Sequence, residues 1–258
     1  MKESTRQALL AINRVFYDDY AASFGSTRSR PWPAWTTLLQ DLSASERPLR
    51  VLDVGCGNGR FGELAAEILV DRGGLDYEGW DQSAGLLQQA RLKLDGRVGK
   101  LVLRSVDLGR DPTELPSTGE TYDVIGMFGV LHHMPGREFR RRLLSALGTR
   151  LAPGGRLWAS WWMLHQTDRF AKKIAEWRRL PEASGMAVDL GDLEPGDHLL
   201  TWQRDGQGLR YLHFPTPDEL DELRLLPDLS WKDSLASDGP TGRENLYLCW
   251  DRARIRAS

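Results

Sequence analysis

Hydrophobic positions along this chain follow two alternating patterns between residues 49 and 162. Short apolar runs predict buried strands, while apolar residues spaced three or four apart predict helices packed on one face. The runs predict strands at 50–54, 76–80, 100–106, 122–128 and 155–162, and helices at 61–71, 84–94 and 137–151. This order predicts an α/β fold with a mostly parallel sheet, in which ligands bind beyond the carboxyl ends of the strands.

The flanking segments predict a helical lid before the sheet and a cap after its fifth strand. Helical patterns cover 5–20 and 34–42, and a basic helix is expected at 168–180. Two strand-like runs, 199–203 and 209–214, flank a turn at 205–208 and predict a β-hairpin. A helix after Pro217 and strands at 229–232 and 245–250 complete a seven-stranded sheet. We expect a single domain, with a lid at 1–48, a core at 49–162, a cap at 163–216 and a closing helix and hairpin at 217–258.

Composition is ordinary for a globular protein, with 41% hydrophobic and 27% charged residues. No apolar run approaches the roughly 20 residues of a membrane helix, and the polar start does not resemble a signal peptide. The 2 cysteines provide neither a disulfide framework nor a four-cysteine zinc site, so we expect a cytoplasmic protein without a metal.

Charge is unevenly distributed, although the net charge is only -2. Basic residues dominate 137–179 and acidic residues dominate 182–233. The basic run could form a phosphate-binding face, or simply a solvated helix surface.

The strongest local motif is an apolar strand that ends in Asp53 and continues into alternating glycines at Gly55, Gly57 and Gly59. Its second half also fits the G-x-G-x-x-G spacing of a dinucleotide site. An acid beside a pyrophosphate would be repulsive, whereas S-adenosylmethionine carries a sulfonium and an ammonium group and no phosphate. The motif therefore favours S-adenosylmethionine over a dinucleotide, and a plain strand-to-helix turn would not need three glycines.

Further cofactor ligands are expected where the next two strands end. Asp81 can accept hydrogen bonds from two ribose hydroxyls, with Gln82 beside it. Asp107 could accept from an adenine amino group while the Leu108 amide faces a ring nitrogen, or it could only cap its loop.

Together, the D-x-G-x-G-x-G loop, Asp81, the segment YDVI with the later LHH, and LAPGG resemble the class I S-adenosylmethionine-dependent methyltransferases. A narrower resemblance rests on YDDYAASFGSTRSRPWP at 17–33, the histidine pair at 132–133, and GDHLLTW with RYLHF at 196–214. These segments are similar to the tRNA wobble-uridine carboxymethyl methyltransferase family, which esterifies 5-carboxymethyluridine and whose eukaryotic members use a small zinc-binding activator subunit. The resemblance implies substrate-side roles for a set of six residues, namely Arg28, Trp32, His132, Arg210, Tyr211 and His213.

Methyl ester formation needs no strong base, because a carboxylate is already a nucleophile and the sulfonium is an activated donor. Arg28 or Arg210 could hold a carboxylate or phosphate, His132 could orient the attacking oxygen, and Trp32 could stack a base. We expect His133 to be structural. The alternatives are an O- or N-methyltransferase of a small metabolite and a catalytically silent cofactor-binding subunit.

Overall fold

The computed structural model of the chain describes residues 1–26, 30–117, 119–164, 173–177, 188–202 and 208–253. Helices and strands alternate through the core, as the sequence predicts. The strands are β1 (Leu49–Val54), β2 (Leu75–Asp81), β3 (Leu101–Ser105), β4 (Tyr122–Met127), β5 (Leu151–Trp162), β6 (Ile174–Ala175), β7 (Asp197–Trp202), β8 (Gly208–His213), β9 (Leu229–Ser237) and β10 (Asn245–Arg252).

The central sheet of the described residues has seven strands in the order β3-β2-β1-β4-β5-β10-β9. Strands β1 to β5 pair in parallel, and β10 runs antiparallel to both β5 and β9. The predicted seven-stranded, mostly parallel sheet is therefore confirmed. Strand order reverses between β1 and β4, which is where open α/β sheets form a ligand crevice.

Six described helices surround the sheet and form the lid: α1 (Glu3–Ser26), α2 (Pro33–Gln40), α3 (Arg60–Leu69), α4 (Ala84–Leu94), α5 (Arg137–Gly148) and α6 (Pro217–Leu223). Strand β1 is apolar at four of its six positions because both of its faces are covered. Val51 packs in the cluster that contains α3 residues, and the adjacent Leu52 packs in the cluster on the α5 side. None of the described helices is long and apolar enough to span a membrane.

The cap is a small antiparallel sheet in the order β6-β7-β8, and it packs on the long lid helix α1. Leu9 and Ile12 of α1 form one apolar cluster with Leu199, Leu209 and Tyr211 of the cap. The hairpin of β7 and β8 agrees with the prediction. Of the predicted turn at 205–208, residues 205–207 lie outside the described residues and Gly208 begins β8. The predicted helix at 168–180 is wrong at residues 174–175, which form strand β6 and pair with β7. Most of the other residues of that predicted helix lie outside the described residues.

Candidate active site

A cavity of about 230 Å³ opens at the carboxyl ends of β1, β2 and β4, at the predicted edge of the sheet. Its floor is the glycine loop after β1, and loops after β2, β3 and β4 form its sides. Helix α1 and the segment before α2 close the remaining side. Seven of the eight predicted cofactor residues line this cavity, namely Asp53, Gly55, Gly57, Asp81, Gln82, Asp107 and Leu108.

The glycine loop needs glycine for conformation as well as for space. Gly55, Gly57 and Gly59 have φ of 73°, 55° and 77°, which side chains disfavour. A Cβ at Gly55 would lie 2.2 Å from Val130 Cγ2, whereas one at Gly57 would meet no described atom within 4 Å. Gly57 therefore presents bare backbone to the cavity, and a ligand can approach it closely. Gly59 instead lets α3 pack against α4, because its Cβ would lie 3.0 Å from Ala90 Cβ.

Asp53 is buried at the base of the cavity, with only 2% of its surface exposed. Burial raises its pKa to about 7, although a hydrogen bond donated by Tyr77 Oη at 2.6 Å to Asp53 Oδ2 works in the opposite direction. Such a carboxyl is only half ionised near neutral pH, and a cationic partner strongly stabilises its ionised form. The ammonium group of S-adenosylmethionine is such a partner.

Asp81 lies where β2 ends and ties the second loop to the first. Its Oδ2 accepts from Gly57 N at 2.9 Å, and its Oδ1 accepts from Ser83 N at 2.8 Å. Burial raises the pKa of Asp81, while these backbone donors act to lower it. The carboxylate is thus held in place at the cavity wall, where it can accept hydrogen bonds from ribose hydroxyls.

Asp107 and Leu108 form the wall where β3 ends. Asp107 Oδ1 accepts from Gly109 N at 2.9 Å, and its Oδ2 accepts from Arg14 at 3.3 Å. The loop-capping role is therefore present, and the residue also lines the cavity together with Leu108 and the exposed Gln82. The adenine contacts expected for Asp107 and Leu108 stay a prediction.

Arg60 is a candidate cofactor ligand that the sequence analysis missed. It is the first residue of α3 and lines the cavity. Burial lowers the pKa of its guanidinium, and the charge of the nearby Asp53 acts in the opposite direction. It donates to the Arg30 carbonyl at 2.8 Å, and its guanidinium lies 5.5 Å from the centre of the Trp35 ring. Asp53 and Arg60 together could hold the ammonium and carboxylate of the methionyl group. The only sequence signal was its position directly after the glycine loop.

The structure brings His133 to the cavity and not His132, for which a substrate-side role was predicted. His132 is fully buried and stacks on Trp162, with ring centres 4.2 Å apart, so it lies behind the cavity wall. His133, expected to be structural, lines the cavity. The two residues lie in a 3-10 turn at Leu131–His133, in which a shift of one residue turns the side chain by about a third of a revolution.

His133 contacts lid and cap together. Its Nε2 lies 2.7 Å from Tyr17 Oη, and its Nδ1 lies 3.3 Å from the Tyr211 carbonyl oxygen. Asn13 Oδ1 accepts from Tyr211 N at 2.8 Å, and Asn13 Nδ2 donates to the His133 carbonyl at 3.4 Å. Tyr17 and Asn13 both line the cavity, so helix α1 contributes polar groups to the acceptor side that the sequence analysis had not singled out.

The remaining predicted substrate residues have different surroundings. Trp32 lines the cavity and covers Gly129, where a Cβ would lie 3.2 Å from the indole ring. Arg28 lies outside the described residues. Arg210 is 6% exposed, with its guanidinium over the rings of Phe16 and Trp162 at 5.4 and 5.0 Å, so it is buried behind the wall.

Tyr211 and His213 are corrections, because their side chains point into a buried polar cluster inside the cap. Tyr211 Oη donates to Asp197 Oδ1 at 2.7 Å, and His213 Nδ1 lies 2.7 Å from the same oxygen. His213 Nε2 lies 2.8 Å from Glu219 Oε2, and the fully buried Arg140 donates to Glu219 Oε1 at 2.7 Å. These contacts join β8 to α5 and α6, so both residues support the cap.

A group of possible metal ligands lies in the same cluster. Glu194, Asp197 and His213 place ligand atoms within 4.8 Å of one another. Arg140 donates to Glu194 Oε2 at 2.7 Å, and its charge helps to hold the pKa of Glu219 below the ordinary value against the effect of burial. The guanidinium thus supplies the positive charge that a metal ion would otherwise bring.

The basic run that could have formed a phosphate-binding face is largely neutralised over 137–156. Its described arginines bind carboxylates or backbone carbonyls. The pairs are Arg137 with Glu222, Arg140 with Glu194 and Glu219, Arg141 with Glu138, Arg142 with Asp111, Arg150 with the Ala146 and Leu115 carbonyls, and Arg156 with Asp41 and Asp251. This part of the run therefore does not form an unpaired basic face.

Comparison with known proteins agrees with the geometry of the cavity. A family model described as a methyltransferase domain matches residues 52–157. A protein of Encephalitozoon cuniculi that bears the name putative methyltransferase is 28% identical over 237 residues, covering 92% of this chain and 93% of that protein. The tRNA (carboxymethyluridine(34)-5-O)-methyltransferase of Saccharomyces cerevisiae is 31% identical over 152 residues, covering 58% of this chain but only 47% of the yeast protein.

Solved structures show the same fold. The 1,6-didemethyltoxoflavin-N1-methyltransferase of Burkholderia thailandensis, solved with S-adenosylhomocysteine, has a TM-score of 0.60 and 17% identity, covering 98% of this chain and 92% of that one. The bare glycine backbone and the buried Asp53 fit S-adenosylmethionine as the cofactor. The chain is an S-adenosylmethionine-dependent methyltransferase with the Rossmann-like fold of that class. Its relatives include the tRNA (carboxymethyluridine(34)-5-O)-methyltransferases of Saccharomyces cerevisiae and Arabidopsis thaliana, and the chain spans less than half of the length of each.

Proposed function

We propose that this methyltransferase esterifies the carboxymethyl group of 5-carboxymethyluridine at the wobble position of tRNA. The observation that carries the proposal is the similarity to the yeast enzyme of that name, which extends over 152 residues. The cavity supports it, because its lining includes Trp32, whose indole ring can stack on a base extruded from the anticodon loop.

The chemistry asks little of the protein beyond placement. Bound S-adenosylmethionine supplies an activated methyl group, and a carboxylate attacks it without losing a proton. Asp53, Asp81 and Arg60 would hold the cofactor, and Trp32 would hold the uracil ring. In-line placement of the acceptor oxygen would then supply most of the rate enhancement.

Recognition of the tRNA backbone would draw on residues away from the cavity. The described arginines of 137–156 bind carboxylates or carbonyls within the chain, so phosphate contacts would come from other surfaces or from a partner. A small zinc-binding activator subunit, which the family resemblance implies, is part of the proposal. Binding of tRNA should weaken as salt rises, because phosphate contacts release counterions.

Methyl transfer to purified tRNA tests the proposal. The protein, with and without a zinc-binding activator, is incubated with labelled S-adenosylmethionine and tRNA that carries 5-carboxymethyluridine, and the nucleosides are analysed. We expect a base-labile methyl ester on the wobble uridine and no label on the same tRNA with unmodified uridine.

Two controls interpret this experiment. An Asp81→Ala variant should lose transfer together with cofactor affinity, whereas Trp32→Ala should lose transfer and keep cofactor affinity. Equal labelling of both tRNAs, or none of either with the activator present, would contradict the proposed acceptor.

A further inference from the structure

A directed chain of hydrogen bonds begins at the cavity wall on helix α1. Tyr17 Oη lies 2.7 Å from His133 Nε2, and His133 Nδ1 lies 3.3 Å from the Tyr211 carbonyl oxygen. Asn13 Nδ2 also lies 3.5 Å from Nδ1, but it donates to the His133 carbonyl oxygen at 3.4 Å. A carbonyl oxygen can only accept, so the shorter contact, with the Tyr211 carbonyl, assigns the imidazole proton to Nδ1. In the neutral imidazole Nε2 is then the acceptor, and the Tyr17 hydroxyl donates to it.

A buried cation lies on the other side of Tyr17. Arg210 is 6% exposed, and a hydrogen bond to Tyr17 opposes the lowering of the Arg210 pKa by burial. Arginine can only donate, so the phenol oxygen accepts this bond. In a site shielded from water, the guanidinium stabilises negative charge on that oxygen. Tyr17 is thus arranged to accept a proton as it passes its own to His133.

The proposed carboxylate acceptor has no proton to lose and leaves this arrangement unused. We propose that Tyr17 and His133 form a proton relay for a second class of acceptor, small aromatic hydroxyl compounds, which are methylated in the same cavity. Aromatic side chains line the cavity, which suits a ring, namely Tyr17, Trp32, Trp35 and Phe128. This activity goes beyond the proposed tRNA function and does not depend on it.

The step balances without any further reactant. The acceptor hydroxyl gives its proton to Tyr17 Oη as its oxygen forms a bond to the methyl carbon. The bond from that carbon to the cofactor sulfur breaks, and the electron pair stays on sulfur, which becomes a neutral thioether. Tyr17 passes its own proton to His133 Nε2, and the imidazolium later releases a proton to solvent. Tyr17 touches the acceptor and is a catalytic residue, whereas Arg210 acts through it as a positioning residue.

Two phenols of different acidity test the relay in methyl transfer. At about pH 8.5, 4-nitrophenol is ionised and needs no base, whereas 4-methylphenol still carries its proton. Tyr17→Phe should lower kcat for 4-methylphenol by about 100-fold and change kcat for 4-nitrophenol by less than about threefold, given the usual contribution of general bases. Tyr122→Phe is the matched control, because it removes a buried phenol hydroxyl that donates to Glu78 at 2.9 Å, away from the cavity.

A binding measurement tests the relay without turnover. Absorbance of 4-nitrophenol added to the protein saturated with S-adenosylhomocysteine reports whether the bound phenol has given up its proton. In the wild type and in Tyr122→Phe, we expect the apparent pKa of bound 4-nitrophenol to lie below its value in solution. In Tyr17→Phe and Arg210→Met, we expect this pKa to be lowered less.

Folding of the variants is checked by affinity for S-adenosylhomocysteine. If Tyr17→Phe loses that affinity, His133→Asn takes its place in both experiments, because the Asn amide can still donate to the Tyr211 carbonyl but cannot replace Nε2. A wild type that methylates neither phenol overturns the inference, and so does an equal loss on both phenols. Failure to methylate tRNA would count against the proposed function and leave these results unaffected.

Discussion

Burial of Asp53 makes cofactor affinity depend on pH. Its pKa of about 7 means that about a tenth of the free protein carries this carboxylate at pH 6, and about three quarters at pH 7.5. A cationic ammonium group binds the ionised form, so binding releases a proton and affinity rises with pH. The expected gain is about eightfold over this interval, which stays below the usual α-amino pKa of about 8.

Calorimetry with two ligands isolates this effect. S-adenosylhomocysteine carries the ammonium group, whereas 5′-methylthioadenosine has the same ribose and adenine without it. Any pH dependence from Asp81 appears with both ligands, so the difference between them reports Asp53. Titrations in buffers of different ionisation enthalpy should show proton release for the first ligand, and Asp53→Asn should abolish the difference.

The same pKa also shapes the stability of the ligand-free protein. The folded state holds the Asp53 proton more tightly than the unfolded state between about pH 4 and pH 7, so stability falls as pH rises through this window. The full loss is about 4 kcal/mol, because folding raises the pKa of this carboxyl from its ordinary value of 3.8 to about 7, and the ligand should offset part of the loss above neutrality. If the affinities for S-adenosylhomocysteine and 5′-methylthioadenosine depended equally on pH, the placement of the ammonium group at Asp53 would be refuted.

Three further outcomes follow from the geometry. Asp81→Ala should weaken S-adenosylhomocysteine binding by about 1.5 to 3 kcal/mol for each lost charged hydrogen bond, while Asp81→Asn should lose less, as measured by calorimetry. Arg60→Met should weaken S-adenosylhomocysteine binding and leave 5′-methylthioadenosine binding unchanged, and equal losses would show that Arg60 does not hold the carboxylate. Arg140→Met should destabilise the fold by about 3 to 5 kcal/mol in urea unfolding, because it leaves buried carboxylates unpaired, and adding Glu219→Gln should recover part of that loss.

The core of the fold could be predicted because its signals are local. Strand β1 is apolar at four of its six positions because both of its faces are covered, and β1, β2 and β4 are each followed by a helix with its own periodicity. The segment at 174–175 carried a helical pattern and basic residues, yet it pairs with β7. That pairing depends on contacts from distant parts of the chain, which periodicity does not report.

The cofactor side of the site was predicted for the same reason, and the acceptor side was not. Asp53, Asp81 and the glycines lie at strand ends in one continuous core. The choice between His132 and His133 depends on Trp162 and on the Tyr211 carbonyl, both remote in sequence. The arginines of helix α5 resembled a basic surface until their carboxylate partners, on other elements, were known.

The division of the cavity between separate segments has an evolutionary consequence. The described cofactor candidates lie between residues 53 and 108, whereas the acceptor wall includes Asn13 and Tyr17 of α1, supported from behind by the backbone of β8. Substitutions in the lid and the cap can therefore change the acceptor that is bound and leave the binding site of the methyl donor unchanged. New substrates would be acquired by paired changes in α1 and β8. These two segments lie about 200 residues apart in sequence but are in contact, so a change in one would be retained together with a compensating change in the other.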